Sequence, residues 1–183
     1  MSKYDLIPND LYPTPGWATA SLLPSMKIRG PIWEPAAGKL HMVKVFRASG
    51  YETFASDITK RPGVVKCDFL TDDCPFLPEW RGTIITNPPY SGGLADKFVR
   101  RALELAAPFK GQVAMLLKAE FDYGKTRLDI FQHHPCFRFK LVLTQRLLIP
   151  GFKHVASPMK NHAWYVWDFG GLTVQPTHQL KWI

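Results

Sequence analysis

The sequence predicts an α/β fold in which a mostly parallel sheet carries helices on both faces. Apolar, β-branched runs recur along the chain, and helix-like segments separate most of them. The 183 residues, 46% of them hydrophobic, suffice for one full core, so 1–183 reads as a single domain.

Seven runs are expected as strands: PIWEPA, YETFASD, VVKCDF, GTIITNPP, GQVAMLLK, FRFKLVLTQR and HAWYVWDF. Four segments read as helical: TPGWATASLLP, GKLHMVKVFRASG, SGGLADKFVRRALELA and FDYGKTRLDIFQHH. In the third, Leu94, Phe98, Ala102 and Leu105 share one face, with Lys97, Arg100, Arg101 and Glu104 on another. Only a loop, LLIPGFKHVASPMKN, separates the last two strands, so they should pair antiparallel. There is no internal repeat, low-complexity tract or Gly/Ser linker. Ligands in such sheets gather beyond the carboxyl ends of the strands, and those ends carry the chemistry here.

No apolar run approaches a membrane span, and MSKYDLIPND has no signal-peptide architecture. Three cysteines (Cys67, Cys74, Cys136) without CxxC spacing argue against zinc and against a disulfide framework. A protein of the reducing cytoplasm is expected. The net charge of +8 is unevenly spread: residues 1–90 hold 10 Lys+Arg against 9 Asp+Glu, residues 91–160 hold 12 against 5. A basic half fits a polyanion partner such as nucleic acid, and equally fits an ordinary basic surface.

The first strand ends in WEPAAGKLHM. Its glycine turn lets a ligand approach the backbone, but the GxGxxG spacing is absent and Glu34 would repel a pyrophosphate. An acid there suits a ligand with positive charge, such as an amino acid moiety beside a sulfonium; the plain alternative is that Glu34 caps a helix and Gly38 only turns. Asp57 ends the second strand, placed to take two ribose hydroxyls. Asp68 and Phe69 end the third, able to read an adenine amino group and pack on its ring. Three successive acidic strand ends describe a pocket for an adenosine with a cationic tail.

The fourth strand ends in TNPPY. Two prolines stop the ladder and leave a stiff elbow with one amide, free carbonyls and one ring. Here the chain resembles the S-adenosylmethionine-dependent N6-adenine DNA methyltransferases over about residues 10–170. NPPY at 87–90 looks like their catalytic motif and EPAAG at 34–38 like their cofactor turn; YPTP at 12–15 resembles their N-terminal cofactor segment. The resemblance implies a Rossmann-like class I methyltransferase fold, with a seven-stranded mostly parallel sheet whose last strand pair is antiparallel. It implies S-adenosylmethionine as cofactor, held by Tyr12, Thr14, Pro15, Glu34, Pro35, Ala36, Gly38, Asp57, Ile58, Asp68, Phe69 and Asn87.

It also implies the chemistry. The lone pair of a purine amine is delocalised into the ring. The Asn87 side-chain oxygen and the Pro88 carbonyl would accept its two hydrogens, localising that pair, while Pro88 and Pro89 stiffen the elbow. Tyr90 would stack on the flipped base, a contact worth roughly 1–3 kcal/mol. Two departures stand out. The family's second glycine, two places after Gly38, is replaced here by Leu40. No length remains for a target-recognition domain. Between the last two strands, Arg146, Lys153, His154 and Lys160 are the candidate phosphate contacts, and specificity is expected to be low or supplied by a partner or second copy.

Remaining features read as ordinary. His133, His134 and Cys136 in QHHPC suit a solvated or capping helix end better than a metal, and no metal is expected. The aromatics of AWYVW alternate as core. Lys118 and Glu120 fit a base-pocket lining or a surface pair. The rival functions are methylation of a protein glutamine amide, of RNA adenine or of cytosine N4, and a non-catalytic nucleic-acid-binding module derived from such an enzyme.

Overall fold

The computed structural model describes residues 13–147, 161–171 and 179–182. Its sheet has the order β3-β2-β1-β4-β5-β7-β6-β8. All seven expected strands are present: β1 (Ile32–Glu34), β2 (Thr53–Asp57), β3 (Val65–Lys66), β4 (Thr83–Thr86), β5 (Gln112–Lys118), β6 (Phe137–Val142) and β7 (His162–Asp168). Neighbours from β3 through β5 pair parallel, and β7 inserts antiparallel between β5 and β6. Beyond the seven expected, a further strand, β8 (Gln179–Trp182), adds parallel to β6. Its residues, QLKW, alternate polar and apolar, but over four positions only, the shortest run that carries a strand signal.

Strand β5 is buried along nearly its whole length, as a central strand covered on both faces must be. On one face α1 (Gly16–Ala20) and α2 (His41–Ala48) pack over Ile32, Ile85, Leu116 and Trp164. On the other, α3 (Leu94–Ala106) packs over Trp33, Ile84, Met115 and Tyr165. The buried face of α3 comprises Ala95, Phe98, Val99, Ala102, Leu103 and Ala106, rotated from the expected stripe so that Leu94 and Leu105 lie at its borders. The aromatics Trp164, Tyr165 and Trp167 are core.

Segment 121–134 is not the expected α-helix. It forms 3₁₀ turns at Phe121–Tyr123 and Lys125–Arg127, interrupted by Gly124 in an extended conformation. Side chains take the carbonyls a helix would use: Arg127 donates to Phe121 O, Arg100 to Thr126 O and the Trp167 indole to Ile130 O. Side-chain hydrogen bonds have replaced most of the i→i+4 ladder, of which the Phe131 N–H to Arg127 O bond remains.

A second correction concerns the cysteines. Cys67 and Cys74, seven residues apart, form a disulfide with Cα atoms 5.1 Å apart, although no framework was expected. The intervening residues fold back on the core, placing both sulfurs beside Trp33 and Trp80. Sequence spacing alone cannot show such a return. Among the described residues no helix is long and apolar enough to cross a membrane.

Candidate functional site

Chain order reverses between β1 and β4, the position where an open α/β sheet leaves a crevice beyond its strand ends. A cavity of about 500 Å³ lies there, within the usual range for small-ligand sites. Thr14, Glu34, Pro35, Ala36 and Gly38 line one side, Asp57, Ile58, Asp68 and Phe69 another, and Asn87 and Pro89 close it against β4. Thus the acids of three strand ends and the asparagine of a fourth share one space.

Pro15, Pro88 and Tyr90 are not among the residues that line it. Pro15 caps α1, its carbonyl accepting the Ala18 and Thr19 N–H groups. Tyr12, Lys153, His154 and Lys160 lie outside the described residues. Arg146 is exposed after β6, on the carboxyl-end side of the sheet.

Glu34 is 1% exposed. Its Oε1 accepts the Ala36 N–H at 3.1 Å, while Oε2 is buried without a hydrogen-bond partner. It is no helix cap, since α2 is entered through Leu40. Burial pushes its carboxyl up to about 8, against the opposing pull of the nearby Thr86 hydroxyl, which lies outside hydrogen-bonding geometry, and of the Ala36 N–H. A cation in the cavity would relieve that desolvation, so the site favours a ligand of positive charge.

Asp57 is more committed than expected. Its Oδ2 accepts the Gly38 N–H at 2.9 Å, and its Oδ1 accepts the Thr59 N–H and the Arg61 guanidinium at 2.8 and 2.9 Å. A carboxylate oxygen accepts about two hydrogens, so Oδ1 is full and Oδ2 has one place left. The two-point ribose grip therefore reduces to one point unless Arg61 moves. Asp68 Oδ1 accepts the Leu70 N–H, and Phe69 is buried behind it.

Gly38 has φ +50°, and Leu40 has φ +65° and ψ +24°. The backbone thus takes the left-handed turn that a second glycine would provide, with a leucine in its place. Such a residue costs about 1–2 kcal/mol. The Leu40 side chain packs against the Ala37, Val43 and Ala55 cluster, which offsets part of that cost.

At the elbow, Asn87 Nδ2 donates to Thr14 Oγ1 at 3.0 Å. The Tyr90 hydroxyl lies 3.0 Å from Asn87 Oδ1 and 2.8 Å from Leu116 O, one proton shared between two acceptors. The Tyr90 ring packs against the core, with Lys118 Nζ 5.2 Å from its centroid and His162 edge to face with it. Glu120 is exposed. His134 accepts the Cys136 N–H and joins no described site residue.

Sequence reasoning missed Arg61, Lys39, His41, Leu94 and Phe98, which also line the cavity. Arg61 had a signal, its i+4 spacing from Asp57. Leu94 and Phe98 read only as a helix face, and nothing local marked them for the site.

No family model matches the chain, and no curated protein matches it. Solved structures do. A candidate RNA methyltransferase from Pyrococcus horikoshii is 16% identical, with TM-score 0.63 over 86% of both chains. A candidate class I S-adenosylmethionine-dependent methyltransferase from Listeria monocytogenes is 13% identical, with TM-score 0.62 over 91% of this chain and 62% of that one. The 1,6-didemethyltoxoflavin-N1-methyltransferase of Burkholderia thailandensis, solved with S-adenosylhomocysteine, is 13% identical, with TM-score 0.53 over 83% and 76%. The chain has the Rossmann-like fold of these class I methyltransferases.

Proposed function

We infer that the chain is an S-adenosylmethionine-dependent methyltransferase acting on an exocyclic amino group, with adenine N6 in DNA as its substrate. One observation carries this: a single cavity joins Glu34, Asp57 and Asp68 to Asn87. The residues present fit the cofactor. Glu34 offers an unpartnered buried carboxyl oxygen to a cation, Asp57 retains one acceptor place for a ribose hydroxyl, and Asp68 with Phe69 forms a wall for an adenine. S-adenosylmethionine, when bound, supplies an electrophilic methyl group on a sulfonium.

The chain's own residues do the positioning. Asn87 Oδ1 and the Pro88 carbonyl accept the two hydrogens of the acceptor amine, keeping its lone pair out of the ring. Pro88 and Pro89 fix that geometry before the substrate arrives, so little reorganisation is needed. In this reading Tyr90 stacks on the base.

RNA adenine is the second reading, favoured by the description of the Pyrococcus horikoshii neighbour. Labelled cofactor incubated with DNA, RNA or protein, followed by mass spectrometry of the digested products, tests both. N6-methyladenine from DNA supports the first reading and from RNA the second. Methylglutamine would move the activity to proteins, and no product at all would leave a binding module. Asn87→Ala should reduce transfer at least about 100-fold while cofactor affinity changes little. An equal loss of both would make Asn87 a structural residue.

A further inference from the structure

Asp57 ends β2 with one of its oxygens already taken by a cation of the same chain. Arg61 Nη1 donates to Oδ1 at 2.9 Å, beside the Thr59 N–H at 2.8 Å, so that oxygen has no place left for a ribose hydroxyl. The same nitrogen donates to Thr59 O at 3.3 Å. Arg61 also lines the cavity, so the competing donor faces the space a ligand would fill.

The local sequence holds it there. Arg61 opens the turn Arg61–Pro62–Gly63–Val64, which the Val64 N–H closes by donating to Arg61 O at 3.2 Å. Pro62 sets one central position and Gly63, at φ +73°, the other, the pair that a type II turn calls for. A Cβ on Gly63 would meet Leu40 Cδ1 at 3.3 Å, so this turn also rests on the glycine turn after β1. With the backbone fixed, the arginine side chain is the part that can move.

Its hold on Asp57 is a single contact rather than the two-point fork that makes arginine–carboxylate pairs strong. A hydroxyl donating to the same carboxylate also makes a charge-assisted bond, so the two donors compete on similar terms. Affinity for a diol is then lowered by the fraction of molecules in which the place is shut. A ligand with one hydroxyl uses the place left on Oδ2 and meets no competitor.

We propose that Arg61 is a specificity-determining residue that occupies the second ribose place on Asp57 and yields it only to a ligand with both hydroxyls. This rests on the methyltransferase reading, and adds a competitor within the chain where the resemblance implies only a receptor.

The test uses Arg61→Met, which keeps the stem and removes the donor, with adenosine and 2′,3′-dideoxyadenosine as ligands. Both are uncharged, so loss of a cation from the wall does not by itself change their affinity. By calorimetry, Arg61→Met should bind adenosine about 3- to 10-fold more tightly than the wild type does, and 2′,3′-dideoxyadenosine within about twofold of it. In ¹⁵N-arginine-labelled wild type, the Arg61 Nη–H signals should be held against solvent exchange in the free protein. Adenosine should release them, and 2′,3′-dideoxyadenosine should not.

Unchanged or weaker adenosine binding in Arg61→Met would overturn the proposal and make Arg61 a support of the wall or of the ligand. Equal tightening of both nucleosides would also overturn it, since Arg61 would then only fill space. So would wild-type Nη–H signals that exchange freely without ligand, or that saturating adenosine leaves unchanged, whatever the variant does. Held signals in a protein that binds neither adenosine nor S-adenosylhomocysteine would instead refute the methyltransferase reading, and the competition with it.

Discussion

Glu34 illustrates how a single side chain can hold a site in readiness. In the free protein its carboxyl keeps a proton up to about pH 8, whereas an unfolded chain releases it near 4.5. The native state therefore binds the extra proton between these values, and stability from this group falls as pH rises through that window, by on the order of 4–5 kcal/mol at its upper end. Glu34→Gln should remove this dependence, leaving the free protein relatively more stable at pH 8 than the wild type; equal melting profiles across pH 5–8 would refute it. A cationic ligand prefers the ionised form, so S-adenosylmethionine binding should release a proton and strengthen from pH 6 to 8. Calorimetry in buffers of different ionisation enthalpy measures that release directly, and Glu34→Gln should abolish it. Leu40 makes a second case. Leu40→Val would place a β-branched residue at φ +65° and should destabilise by about 1–2 kcal/mol beyond the lost packing. Denaturant midpoints that differ by less than packing alone accounts for would show the turn to be relaxed.

Among the elements, the link from β3 toward α3 is the one that the sequence conceals. The acids at 57 and 68 and the motif at 87–90 were legible because each follows an apolar run. So were seven strands, although β3 is two exposed residues and β5 owes its apolar run to Ala, Met and Leu as much as to Val. The Cys67–Cys74 bond was not, because it depends on how the chain returns on itself after β3. It encloses Asp68, Phe69 and Leu70, all of which line the cavity. Replacing both cysteines with serine should cost about 2 kcal/mol of stability, the value for a short closed loop. It should also weaken cofactor binding more than transfer at saturating cofactor. If affinity is retained, the wall holds its shape through Phe69 packing alone. The Thr14–Asn87 contact was hidden for a different reason: each residue type is ordinary, and only the tertiary fold brings them within 3.0 Å.

At the scale of the molecule, ion pairs among the described residues engage at least four of the twelve cations of residues 91–160, and all but one of the partners of those four, Asp72, are acids already set against the surplus. Arg100 pairs with Asp96 and Asp129, Arg101 with Asp72 and Glu104, Arg127 with Asp96, and Lys140 with Asp122. Arg100, Arg101 and Arg127 tie α3 to its neighbouring turns and Lys140 ties β6 to the turn at Asp122, so these four cations serve internal attachment. Nucleic-acid affinity should still fall with salt. Its logarithmic slope on a single strand should reach at most the roughly −5 that seven phosphate contacts would give. A slope beyond that value would show that the pairs open to receive the polyanion.

Far from the cavity, at the amino ends of the strands, Gly82 lies so close to Pro31 that an added Cβ would meet the Pro31 carbonyl oxygen at 2.1 Å. The Thr83 N–H bonds to that same oxygen, and this contact sets the alignment of β4 on β1. Mutational scanning should therefore find Gly82 as intolerant as the elbow asparagine, though no reactant comes near it: a methyl group at one end of two neighbouring strands would shear the acid and the amide at the other.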